Sequence, residues 1–219
     1  MLTDELYQAM SQSVIDGEPE QAEELAHQAL GLGLDPLEVI DHGYTRGMNV
    51  LGDLFTRGEV FLPHLVMGGE AMKAAIAVLE PELARRQQQR PVLGKVVIGT
   101  VAGDIHEIGK SLVATMLSVN GFQVFDLGVD VPVSTFVEKA GEVGADIVGL
   151  SALLTTTMLN QGKVIESLQG AGLREKIKVI VGGAPVSQSW AEQIGADGYS
   201  ENAVGAVALA KRLMGGGAD

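Results

Sequence analysis

The 219-residue chain carries 28 Asp and Glu against 15 Lys and Arg, and its formal net charge of −13 excludes nucleic acid as a partner, which needs a basic face. Hydrophobic residues make up 46% and charged residues only 20%, which suits a globular protein with a sizeable core. The absence of cysteine removes disulfides, thiolate nucleophiles, cysteine-ligated zinc and iron–sulfur clusters together.

From the first residue onward the chain reads in two textures. Met1-Leu2-Thr3-Asp4-Glu5 is acidic where a secretory leader needs a basic start, and no apolar run approaches the ~20 residues of a membrane span. The expectation is a cytoplasmic protein without a membrane partner. Leu6, Met10 and Val14 recur at helical spacing until Gly17. Pro19 suits a first helical turn, with Ala22, Leu25, Ala26, Ala29 and Leu30 following before Gly31 and Gly33. Asp35-Pro36 opens a third helix running to about Phe55. Pro63 opens a fourth, with Leu65, Val66, Met72, Ile76 and Leu79 on its apolar face and Met67 and Met72 expected in the core. Four helices with short turns predict a small bundle. Arg85–Pro91 is polar and unpatterned and reads as an interdomain linker, dividing the chain into residues 1–88 and 89–219.

Beyond the linker the period changes. Short β-branched runs at 95–101, 122–127, 147–150, 179–181 and 198–200 alternate with helical stretches at 107–119, 133–143, 158–170, 187–194 and 202–214. The fold class is therefore α/β: a helical cap, then a doubly wound parallel sheet of Rossmann-like or flavodoxin-like form. Such sheets bind ligands beyond the carboxyl ends of their strands.

The loop after the first strand reads Gly103-Asp104-Ile105-His106-Glu107-Ile108-Gly109-Lys110-Ser111. It ends like a phosphate-binding loop, but five residues (104–108) separate its glycines where four are needed, and Asp104 and Glu107 would repel polyphosphate. A protein-only metal cage lacks ligands, since His27, His42 and His64 all lie in the helical half. Taken alone, His106 reads as an ordinary polar loop residue.

Asp104-x-His106-x-x-Gly109, Ser151-x-Leu153 and Gly182-Gly183 together resemble the three-part motif of cobalamin-binding domains. Forty-one residues (110–150) and twenty-eight (154–181) separate the parts, and each part follows its own predicted strand. In the helical half, Met48-Asn49-x-x-Gly52-Asp53-Leu54-Phe55 followed by Phe61-Leu62-Pro63 resembles the cap of methionine synthase and of small corrinoid proteins of methyltransferase systems.

The resemblance implies a cobalamin or related corrinoid, cycling between methylcobalamin and Co(I) cobalamin, with His106 as the axial cobalt ligand. Asp104 and Thr157 would complete a ligand relay, with Gly103, Ile105 and Glu107 in the same loop. A nucleotide tail would lie in a slot made by Gly109, Ser151, Leu153, Thr155, Gly182 and Gly183, and Ala203 would meet the corrin edge. Asp41, Phe55 and Leu62 would face the upper side. The individual glycines read equally well as turn residues, Ser151 and Thr155 as helix caps, and Phe55 and Leu62 as bundle core.

The implied function is carriage of a methyl group between a substrate-specific methyltransferase and a second methyltransferase that serves a pterin (tetrahydrofolate-type) or thiol acceptor. A reductive activation protein is a further implied partner. The chain would not be catalytic alone, having no room for a substrate-binding barrel of roughly 250 residues. The alternatives are a cobalamin-dependent sensor module and the cobalamin-binding subunit of a mutase.

Overall fold

Helical periodicity in the first 88 residues produces four helical stretches in the computed structural model, which describes residues 2–88 and 91–215. Helix α1 spans Leu2–Asp16 and α2 spans Pro19–Gly31. The third stretch is composite: α3 (Pro36–Glu38), a π-helical segment (Val39–Thr45) and α4 (Arg46–Thr56). Asp35 caps it, its carboxylate accepting from the Leu37 N–H at 2.8 Å. Helix α5 covers Leu62–Arg85. Leu6, Met10, Val14, Met48, Leu51, Leu65, Met72 and Leu79 form the buried seam of this bundle. Gly47 sits where α4 crosses α1, and a Cβ there would lie 2.5 Å from the Ser11 carbonyl oxygen.

One expectation for this half is corrected. Met67 is 49% exposed and Val66 is also exposed, not core. Leu65, Val66 and Met67 are consecutive apolar residues, so periodicity alone does not choose among them, and packing buries Leu65. The longest helix, α5, is no uninterrupted apolar run, since Glu70, Lys73, Glu80 and Glu82 lie within it. Its 24 residues would span a membrane by length and composition alone. Its buried residues pack against α1 and α2, as a core helix does. The polar stretch read as linker begins with residues that are fastened to the helical unit. Arg85 ends α5, Glu82 binds Arg85 and Arg86 at 2.7 and 2.6 Å, and the Gln88 amide donates to Asp35 at 2.8 Å. Residues 89 and 90 of that stretch lie outside the described residues.

The chain divides into two units, Met1–Pro91 and Val92–Asp219. The second is a five-stranded, wholly parallel sheet of order β2-β1-β3-β4-β5. Its strands are β1 (Lys95–Thr100), β2 (Gln123–Asp126), β3 (Ile147–Ser151), β4 (Lys178–Gly182) and β5 (Gly198–Tyr199). Between them run α6 (Ile108–Val119), α7 (Val133–Val143), α8 (Leu159–Gly170), α9 (Gln188–Ile194) and α10 (Ala203–Leu213). Helix α6 packs with α10, while α7, α8 and α9 pack in succession, so both faces are covered. Val97, Phe136, Val148, Leu168 and Val179 are fully buried in the core of the α7–α9 side.

This strand order reverses direction between β1 and β3, which pair so that Thr100 lies beside Ser151. The loops leaving those two strands diverge to opposite sides of the sheet and leave a crevice between them. The fold thereby sets the loop containing His106 opposite the loop that begins at Ala152.

Candidate functional site

The loop from β1 to α6 is organised around Asp104, which is completely buried. One carboxylate oxygen, Oδ1, meets His106 Nδ1 at 2.7 Å and accepts from the His106 N–H at 3.1 Å. The other, Oδ2, accepts from the Thr157 hydroxyl at 2.7 Å and from the Leu153 and Leu154 N–H groups at 2.7 and 3.3 Å. Burial alone would push this carboxyl up. The hydrogen bonds from Thr157, Leu153 and His106 outweigh that and hold it well below the usual carboxylate range. Asp104 is therefore an ionised acceptor, and the proton of a neutral His106 sits on Nδ1. Nε2 keeps its lone pair and makes no hydrogen bond among the described residues.

The His106 side chain is 47% exposed, and Ile105 and Ile108 beside it are about three-quarters exposed, at 76% and 75%. Two large apolar residues in water around one available imidazole nitrogen make a surface suited to a flat, largely apolar partner. Gly109 stands in the same place, and a Cβ there would meet nothing within 4 Å. The protein's own packing gives no reason for glycine at that position.

Gly183 differs. Its φ is +126°, and a Cβ would lie 1.8 Å from the Ala152 carbonyl oxygen, so only glycine fits beside the chain that leaves β3. Gly103 is also left-handed, at φ +82°. Gly182 ends β4, with space for a Cβ limited by the Ser200 carbonyl oxygen at 3.2 Å.

The structure brings Asp104, His106, Thr157 and the Leu153 backbone into one hydrogen-bonded cluster, with Gly103, Ile105 and Gly109 in its loop. Ser151 ends β3 and accepts from the Val101 N–H at 3.0 Å through its carbonyl. Thr155 and Glu107 are exposed and take no part in the cluster, and Ala203 is buried at the start of α10. In the helical unit, Asp41 is exposed within the π-helical segment, while Phe55 and Leu62 are half-buried at the end of α4 and the start of α5.

Several participants escaped the reading of the sequence. Thr100 donates its hydroxyl to the His106 carbonyl at 2.8 Å, and Asn160 donates to the Ala102 carbonyl at 2.8 Å. Gln161, fully buried, donates to the carbonyls of Leu150 and Gly182 at 3.0 and 3.2 Å and accepts from the indole of Trp190 at 2.9 Å. A polar Gln161 at an inward helix position was the one available signal.

No group of three or more His, Asp or Glu side chains that could cage a metal occurs among the described residues. A single nitrogen donor ringed by apolar surface fits a metal whose other ligands come from a planar macrocycle. Comparison with known proteins agrees. A B12 binding domain family model matches residues 94–208, and a second B12 binding domain model matches residues 6–80. Trimethylamine corrinoid protein 2 of Methanosarcina acetivorans is 52% identical over 204 residues, covering 93% of this chain and 94% of that protein.

This chain belongs to the B12-binding corrinoid proteins of methylamine and methanol methyltransferase systems.

The corrinoid protein also matches solved structures. A cobalamin-binding protein from Desulfitobacterium hafniense DCB-2 is 35% identical, with a TM-score of 0.79 over 94% of this chain and 97% of that one. The methanol:cobalamin methyltransferase complex MtaBC from Methanosarcina barkeri contains a chain 31% identical, with a TM-score of 0.87 over 99% and 82%. The cofactor of this corrinoid protein is thus a cobalamin or related corrinoid. In the sheet unit the residues suited to it are His106, the exposed isoleucines and Gly109.

Proposed function

We propose that this corrinoid protein carries a methyl group from a substrate-specific methyltransferase to a second methyltransferase serving a pterin or thiol acceptor. The observation that carries the proposal is the bond from His106 Nδ1 to a buried, ionised Asp104, which leaves Nε2 as an aimed donor. When bound, the corrinoid supplies a cobalt atom that accepts and releases a methyl group.

The protein's part would be to supply and orient the nitrogen that holds that cobalt. His106 Nε2 would hold the cobalt, and Asp104 would orient the ring and raise its basicity. Thr157 and the Leu153 N–H keep Asp104 ionised, so it would hold the Nδ1 proton of the imidazole and leave Nε2 turned to the cobalt. Gly109, Ser151, Leu153, Thr155, Gly182, Gly183 and Ala203 are the proposed lining for the nucleotide tail. In the helical unit Phe55 and Leu62, neither of them fully buried in the bundle, and Asp41 are further proposed contacts of the corrinoid. Relatives named as trimethylamine and dimethylamine corrinoid proteins make methylated amines the first donors to try. The MtaBC complex supports a methyltransferase partner, and a reductive activation protein is a further proposed partner.

The test is reconstitution with hydroxocobalamin followed by desalting. About one corrinoid per chain should remain, with the spectrum of the histidine-ligated, base-off form, and His106→Ala should shift it to a water-ligated form. Supplied with a cognate methyltransferase and a methylated amine, the loaded protein should become methylated. A free-cobalamin spectrum after desalting would refute the cofactor site, and a spectrum unaltered by His106→Ala would refute the ligand.

A further inference from the structure

Asp130 is one of two non-glycine residues at positive φ among the described residues, with φ +53°. It lies in the loop between β2 and α7, outside every motif that marked the site. That loop already turns left-handed at a glycine, Gly128, with φ +82°. An aspartate at a second left-handed position is strained relative to glycine, so its side chain must return something that glycine cannot.

Two hydrogen bonds supply the reason. Asp130 Oδ1 accepts from the Gly103 N–H at 2.6 Å, and the Asp130 N–H donates to the Asp104 carbonyl at 2.9 Å. These two groups stand at opposite ends of the Gly103–Asp104 dipeptide, so one residue grips both. The Asp104 carboxylate is meanwhile held from the β3 side by Thr157 and Leu153. His106 itself is half exposed and tied only through Asp104 and through its carbonyl on Thr100. Its direction is set by polar tethers rather than by packing. Whatever fixes the backbone of Asp104 therefore fixes the aim of Nε2.

We propose that Asp130 is a positioning residue, clamping the Gly103–Asp104 segment from the β2 side so that the axial histidine is aimed before the cofactor arrives. The proposal rests on the reading of His106 as the cobalt ligand. Asp130 touches no cofactor, and it acts through the backbone of the residue that holds the imidazole.

Three variants separate this role from a general structural one. Asp130→Gly removes the carboxylate while relieving the strained φ, and Asp130→Asn keeps an acceptor oxygen for Gly103. His106→Ala is the control for ligation. Each full-length protein is loaded with hydroxocobalamin, and cofactor content and the visible spectrum are measured. Asp130→Gly should keep about one corrinoid per chain yet lower the ratio of histidine-ligated to water-ligated form about tenfold, the scale of a lost charge-assisted hydrogen bond. Asp130→Asn should restore most of that ratio. A wild-type ratio in Asp130→Gly, beside an altered spectrum in His106→Ala, overturns the proposal and leaves the ligand assignment standing. An unaltered spectrum in His106→Ala removes the ligand assignment, and the proposal falls with it. Should Asp130→Gly fail to fold, hydrogen exchange of the wild-type apoprotein decides. The Gly103 amide, on an exposed residue, should exchange about a hundredfold or more slower than in an unstructured peptide. Exchange at the unstructured rate overturns the clamp.

Discussion

Asp104 is the residue on which the most depends, because it is buried, ionised and bonded on both oxygens. Its carboxyl is held below the usual range in the folded protein, so the unfolded chain binds its proton more readily. The resulting stability is present above the ordinary carboxylate pKa and is lost as pH falls through the lower, folded one. Urea unfolding of the apoprotein, followed from neutral pH to well below the ordinary carboxylate pKa, should therefore show a decline that begins near that pKa and continues below it, and Asp104→Asn should flatten it. The same substitution should weaken histidine ligation about tenfold, because it removes the negative end of the pair. An acid limb identical in the variant would show that the stability comes from other carboxylates. Gly183 is the second decisive residue. Its φ of +126° and the 1.8 Å approach to the Ala152 carbonyl leave no place for a methyl group. Gly183→Ala should cost about 3 kcal/mol or more in denaturant unfolding and should abolish corrinoid retention.

At the scale of elements, the first turn of α6 is fastened to the end of β2. Lys110 follows Gly109 directly, its side chain is fully buried, and its ammonium lies 2.6 Å from an oxygen of Asp126. The pair is asymmetric, since the Asp126 side chain retains 35% exposure. Removing Asp126 strands a buried cation, whereas removing Lys110 leaves a carboxylate that water can reach. Asp126→Ala should consequently destabilise the fold by about 3 kcal/mol, and by more than Lys110→Met does. Equal losses in chemical denaturation would mean that the carboxylate is as poorly hydrated as the ammonium. The π-helical segment is the other unusual element. It interrupts a helix that the Asp35 cap and apolar periodicity would otherwise run regularly to Thr56, and it contains Asp41.

For the whole molecule, the sheet unit has its own core and carries both the His106 cluster and the Gly182-Gly183 corner. A chain beginning at Val92 should fold on its own, with a cooperative thermal transition by circular dichroism. Hydroxocobalamin should raise that midpoint, since a ligand at a hundred times its Kd adds about 2.7 kcal/mol of stability. A midpoint unmoved by corrinoid would place the main binding energy in contacts with the helical unit. The chain's acidity belongs to this scale also. With a net charge of −13, association with a partner methyltransferase should be most sensitive to ionic strength where that partner presents a basic face.

The order and kind of elements were legible in the residues themselves. Period-3.6 patterns, the Asp35-Pro36 start and short β-branched runs are local signals, and the five strands and five helices after the linker fall within a residue or two of their expected places. The Asp104–His106 loop was legible too, because its residues are near neighbours and its spacing is a chain property. What only the tertiary structure decided are the contacts that close the site. Asp130 grips Gly103 across 27 residues, the Leu153 amide reaches Asp104 across 49, and Asn160 holds Ala102 across 58. Leu153 was read for its side chain, but its backbone N–H makes the bond. Backbone donors carry no residue-specific signal, and a surface aspartate in one loop does not announce a partner in another. The burial of Leu65 over Met67 was settled the same way, by which face of α5 met α1 and α2. Residue patterns specify which faces are apolar and which loops carry chemistry, and long-range packing selects the polar partners that hold the histidine in place.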